Sequence, residues 1–90
     1  MFPFTETKKD KVLIREFSQD VDKMELIWHR DREDRTITIL ESKGWKLQMD
    51  NTLPVVLEEG KSYNIPKNTY HRVIKGEGKL ILELEKHKWN

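Results

Sequence analysis

A chain of 90 residues is one domain's worth, and it contains no cysteine, so two independent cores and any disulfide are excluded. With 17 basic against 16 acidic residues, both signs interspersed, the net charge of +1 gives no electrostatic footprint for nucleic acid. Charged residues make up 37% of the chain, but seven Ile, five Val, nine Leu and three Trp suffice for a core and argue against disorder.

The opening Met1-Phe2-Pro3-Phe4-Thr5 lacks the basic segment and apolar run of a secretory signal. No apolar stretch approaches the roughly 18 residues that cross a bilayer. A cytoplasmic location away from membranes is therefore expected.

Alanine is absent, while Ile, Val and Thr supply 18 residues, an imbalance that favours strand over helix. In chain order, the first ten residues are polar enough to fray, with Phe2 and Phe4 expected to dock on the domain or on a second subunit. The core is expected over about residues 11–85. Ser18 to Met24 reads as loop, its apolar spacing too sparse for a helix. Period-two alternation then marks half-buried strands at Ile37 and Ile39, at Trp45, Leu47 and Met49, and at Leu80, Leu82 and Leu84. Turn signals separate them at Glu41 to Gly44, Asp50-Asn51, Glu58 to Gly60, Pro66 to Asn68 and Gly76-Glu77-Gly78. The tail His87-Lys88-Trp89-Asn90 is again polar apart from Trp89. Regular short strands with this punctuation predict an all-β sandwich or barrel.

The side chains suited to chemistry are few. On a strand His29 and Asp31 share a face while Arg30 points away, and the neighbours Trp28 and Tyr70 of the two candidate histidines point away as well. His71 follows a Pro-containing turn. There is no thiolate nucleophile, no Gly-x-Ser-x-Gly elbow and no phosphate-binding Gly-rich loop. His87 lies in the polar tail, outside any motif.

The stretch from Gly60 through Pro66 and Asn68 to His71 resembles the second motif of the cupin family, in which Gly, five residues, Pro, one residue, Gly, two residues and His recur. Asn68 stands at the second Gly position, which needs a positive φ that Asn tolerates. The first motif is more loosely matched. His29 and Asp31 stand where the family has His-x-His, and Arg35 or Thr36 stands where it has a ligating Glu. The resemblance covers about Leu26 to Leu84. It implies a small cupin-like β-barrel, that is, a double-stranded β-helix or jelly roll, often a homodimer, with a site in its mouth.

For function, the resemblance implies a small-molecule-binding protein, open to metalloenzyme chemistry, and this sequence's own His29, Asp31 and His71 would form a two-His, one-carboxylate set. That set suits Fe(II) and also accepts Mn(II), Ni(II) or Zn(II), with no organic cofactor implied. Arg35 or Arg72 would neutralise a substrate carboxylate, and Tyr63 would line the mouth. Two other readings stand beside it. Arg35 inside the cavity would repel a cation, which favours a metal-free module for an anionic small molecule. A structural dimer without ligand is the third. The run Asp31-Arg32-Glu33-Asp34-Arg35 also reads as a solvated, internally paired hairpin end. On an unbroken strand Asp31, Glu33 and Arg35 share a side, and only a register shift would bring in Asp34.

Overall fold

The computed structural model describes residues 3–22 and 26–87. Eight strands form in chain order: β1 (Thr5–Lys9), β2 (Val12–Phe17), β3 (Asp34–Lys43), β4 (Lys46–Met49), β5 (Val55–Val56), β6 (Ser62–Ile65), β7 (His71–Ile74) and β8 (Glu77–His87). They build a five-stranded sheet in the order β1-β2-β8-β3-β6 and a three-stranded sheet in the order β5-β4-β7. Every pairing is antiparallel. Among the described residues no helix forms, and none is long and apolar enough to cross a membrane.

Alternation sets the two faces. Ile37 and Ile39 on β3 and Leu80, Leu82 and Leu84 on β8 are buried, as are Phe17, Trp45, Leu47 and Ile65. Register locks them together, with Ile37 opposite Leu84 and Ile39 opposite Leu82, so a slip of one residue would turn the whole apolar set to solvent. Past Ile39 the β3–β8 ladder is irregular at Glu41 and Lys43, bulges that bend the long strands. Trp45 is fully buried and donates its Nε1–H to the Glu77 carbonyl at 3.2 Å.

The amino-terminal segment corrects one expectation. Instead of fraying, Thr5–Lys9 pairs with Val12–Phe17 in a hairpin whose turn carries Asp10 at φ 55°. Phe4 packs on Phe17, with ring centroids 5.2 Å apart, and the Arg15 guanidinium lies 4.2 Å above its ring. The strand forms because β2 offers an edge, and pairing satisfies backbone groups that a frayed end would leave to water. Phe2, Met24 and Trp89 lie outside the described residues. In Ser18–Asp22 a turn closes from Val21 N–H to Ser18 O, with Ser18 Oγ accepting from Asp20 N–H. Gly76 precedes β8, and Glu77 and Gly78 already belong to that strand rather than to a turn. Leu53, Val55 and Val56, on and beside the edge strand β5, are exposed apolar residues.

Candidate metal centre

Two short stretches of backbone bring the site together. His29 and His71 form an isolated antiparallel bridge, exchanging N–H to carbonyl bonds of 3.0 and 2.8 Å. Asp31 does not share a strand with His29, because residues 30–33 are loop and β3 begins only at Asp34. The second-motif turn then pins that loop. Asn68 adopts φ 59°, the left-handed conformation expected of a residue replacing Gly, and its N–H donates to the Asp31 carbonyl at 2.7 Å. The neighbouring Lys67 N–H donates to Asp34 Oδ1 at 2.8 Å. Asp34 therefore serves the scaffold, on the face opposite Arg35.

The donor atoms of His29, Asp31 and His71 all lie within 4.8 Å of one another. Metal–donor distances near 2.0–2.2 Å put two donors of one ion at most about 4.4 Å apart, within a few tenths of an ångström of that spread. Each imidazole is oriented by the main chain. His29 Nδ1 lies 3.1 Å from the Ile27 carbonyl and His71 Nδ1 lies 2.8 Å from the Thr69 carbonyl. A carbonyl only accepts, so both Nδ1 atoms carry the proton, and in the neutral rings both Nε2 atoms present lone pairs.

One of those nitrogens lies beside an acceptor. His71 Nε2 lies 3.2 Å from Asp31 Oδ2. Yet Oδ2 is buried without a hydrogen-bond partner among the described residues. Two acceptors that close repel each other unless positive charge lies between them, either a proton on His71 or a cation. Burial disfavours the proton and holds the His71 pKa below its ordinary value, a direction helped by the charges of His29 and Arg35. The Thr69 hydrogen bond and the Asp31 charge oppose this shift without cancelling it. The residues present fit a divalent cation, and three protein donors leave coordination positions for exogenous ligands.

The remaining candidates separate. Arg35 shares the inward face of β3 with Ile37 and Ile39, and its side chain is 12% exposed. Its Nη1 reaches Asp31 Oδ1 at 3.3 Å, while Nε and Nη2 both donate to Glu33 Oε1, at 3.2 and 3.0 Å. Burial works against an ionised Glu33, but the hydrogen bonds and charge of Arg35, with Lys86, outweigh it and hold the Glu33 pKa below its ordinary value. The acidic run is thus an organised cluster rather than a solvated hairpin end.

Arg72 and Tyr63 are corrections. Next to His71 on β7, Arg72 faces the other way, lying 4.9 Å from the Trp28 ring centroid and donating to Gln48 Oε1 at 3.0 Å. Tyr63 does not line the cavity either. Its hydroxyl donates to the Val56 carbonyl and accepts from Glu58 N–H at 2.9 Å, binding β6 to the β5 region. His87 contacts Thr36 Oγ1 at 2.9 Å, outside the cluster.

The cluster opens into a cavity of about 80 Å³ whose polar lining is His29, Asp31, Arg35, His71 and Arg15, the rest being apolar, including Phe4, Phe17, Leu26 and Leu82. Arg15 was not among the expected residues. Leu13, Arg15 and Phe17 form a period-two face that pairs with Leu84, Leu82 and Leu80, and that alternation is the signal that places Arg15 inward.

No family model and no curated protein matches this sequence. Solved structures do match. A cupin domain from Bordetella pertussis aligns with a TM-score of 0.62 at 16% identity, over 98% of each chain. The iron(II) form of HppE aligns with a TM-score of 0.70 at 11% identity, over 93% of this chain and 50% of its own. A chain from crystal structures of the DMSP lyases RdDddP and RnDddQII gives 0.68 at 16% identity, over 81% of this chain and 35% of its own. The chain thus spans half the length of HppE and about a third of that lyase chain. At such identities the likeness shows the fold, and the fold is the cupin jelly roll.

Proposed function

We propose that this chain is a small-molecule-binding cupin-fold protein that holds one divalent metal ion between His29, Asp31 and His71. The observation that carries this reading is the buried Asp31 Oδ2, 3.2 Å from His71 Nε2 and without a hydrogen-bond partner among the described residues. HppE, a structural neighbour, was solved with iron(II), and two imidazoles with one carboxylate suit that ion, with Mn(II), Ni(II) and Zn(II) as the other candidates. Such an ion supplies Lewis acidity and activates bound water. This chain's residues do the rest. Ile27 and Thr69 carbonyls fix the imidazole tautomers, and the apolar wall receives the body of a small ligand whose polar head faces the cluster.

The metal-free reading needs Arg35 as an anion anchor, and Arg35 is already ion-paired with both Asp31 and Glu33, which offset its charge. Elemental analysis of protein purified without chelator tests the proposal. Near-stoichiometric metal in the wild type, lost in His71→Ala, is expected. A wild type that carries none and takes up none of the four ions rejects it.

A further inference from the structure

We propose that Arg35 and Glu33 are positioning residues for the metal: Arg35, clamped by Glu33, occupies Asp31 Oδ1 so that Asp31 ligates through Oδ2 alone. This inference rests on the proposed metal site. Arg35 stands near the position where the first motif of the resembling family has a ligating Glu. In this chain a guanidinium replaces a donor, so the residue must either obstruct the ion or serve it indirectly.

The geometry favours service. A guanidinium is a planar fork with fixed donor directions. Two of its nitrogens donate to Glu33 Oε1, and the third lies 3.3 Å from Asp31 Oδ1 as an ion pair. All three side chains are largely shielded, at 12% exposure for Arg35, 11% for Asp31 and 19% for Glu33. Lys86 Nζ lies 3.9 Å from Glu33 Oε1 and helps hold that carboxylate. The two Asp31 oxygens are thereby distinguished. Oδ1 has a cationic partner, and Oδ2, buried and without a hydrogen-bond partner among the described residues, lies 3.2 Å from His71 Nε2.

A guanidinium on Oδ1 draws on that oxygen's lone pairs and favours ligation through Oδ2, so the protein supplies three donors in all and coordination positions stay open. The charge also balances, since two carboxylates and one guanidinium sum to −1, as Asp31 alone would. Glu33 offsets the repulsion that Arg35 would otherwise exert on the ion. Hydrogen-bonded neighbours of metal ligands act in this way, and losing one commonly weakens metal affinity about 10- to 100-fold.

The double variant Glu33→Gln/Arg35→Gln separates position from charge, because it leaves the net charge of the cluster unchanged. Co(II) affinity is measured by competition with a chromophoric chelator, and the Co(II) visible spectrum is recorded, for wild type, double variant and Asp31→Asn. The double variant is expected to lose about 10- to 100-fold in affinity, with an altered spectrum. A double variant that binds Co(II) with wild-type affinity and spectrum, while Asp31→Asn loses binding, overturns the inference and leaves the metal site standing. Wild-type protein that binds no Co(II) overturns both. Should the double variant fail to fold, by circular dichroism, a crystal structure of the Zn(II)-loaded wild type decides. Asp31 bound through Oδ2 with Oδ1 on Arg35 supports the inference, and Asp31 bound through both oxygens overturns it.

Discussion

His71 is buried, at 4% exposure, and burial holds its pKa below the ordinary value. The unfolded chain then binds the proton more readily than the folded one near the ordinary histidine pKa of about 6.5. Stability of the metal-free protein is fully present above that pH and is lost as pH falls through the lower folded value. Urea denaturation in chelator, from about pH 8 down to pH 5, checks this. The loss should shrink in His71→Gln, and wild-type stability that is flat or rises on acidification contradicts it. The sequence brought His29, Asp31 and His71 forward as candidates, His71 through the second motif, but the strand parity that linked Asp31 to His29 does not hold, because a loop carries Asp31. It left the surroundings of Arg35 open, since these depend on where β3 begins. Arg72 was within reach of the parity that sent Trp28 and Tyr70 outward, because it too adjoins a site histidine. Tyr63 was not, since its hydroxyl is claimed by a segment with no local sequence signal.

At the scale of elements, the strands with strict alternation were legible, and β3, β4 and β8 carry Ile37, Ile39, Leu47, Leu80, Leu82 and Leu84 in the core. β1 was not legible. Its five residues are exposed throughout, so it has no apolar face to read and forms only because β2 offers an edge. The β7–β8 connection shows a tighter constraint. A Cβ at Gly76 would meet main-chain atoms of Lys43, Gly44 and Trp45, none of which can rotate away. Gly60 is different, with φ +83° but open space around it. We expect Gly76→Ala to cost more than the ~1–3 kcal/mol typical of overpacking. Gly60→Ala should cost about 1–2 kcal/mol for its left-handed backbone. Denaturant midpoints of the two variants check the order, and equal costs would mean the β7–β8 corner relaxes freely.

At the scale of the molecule, the described residues form two antiparallel sheets with an apolar core between them and a polar cluster lining the cavity. A domain of this size buries a modest fraction of its unfolded surface, so a ligand that binds only the folded state matters to its stability. A metal at about 100 times its dissociation constant would add about 2.7 kcal/mol. The fold class was legible because composition, alternation and turn spacing agree. The site geometry was less so, because a bridge, a loop and a left-handed turn assemble it rather than one strand. The central claim is that Asp31 Oδ2 and the two histidines hold a divalent ion, and calorimetric titration of chelator-stripped protein with Zn(II) tests it most directly. Wild type should bind one equivalent, with Asp31→Asn, nearly identical in shape, binding at least about 10-fold more weakly. Equal binding by both proteins, or none by the wild type, contradicts it.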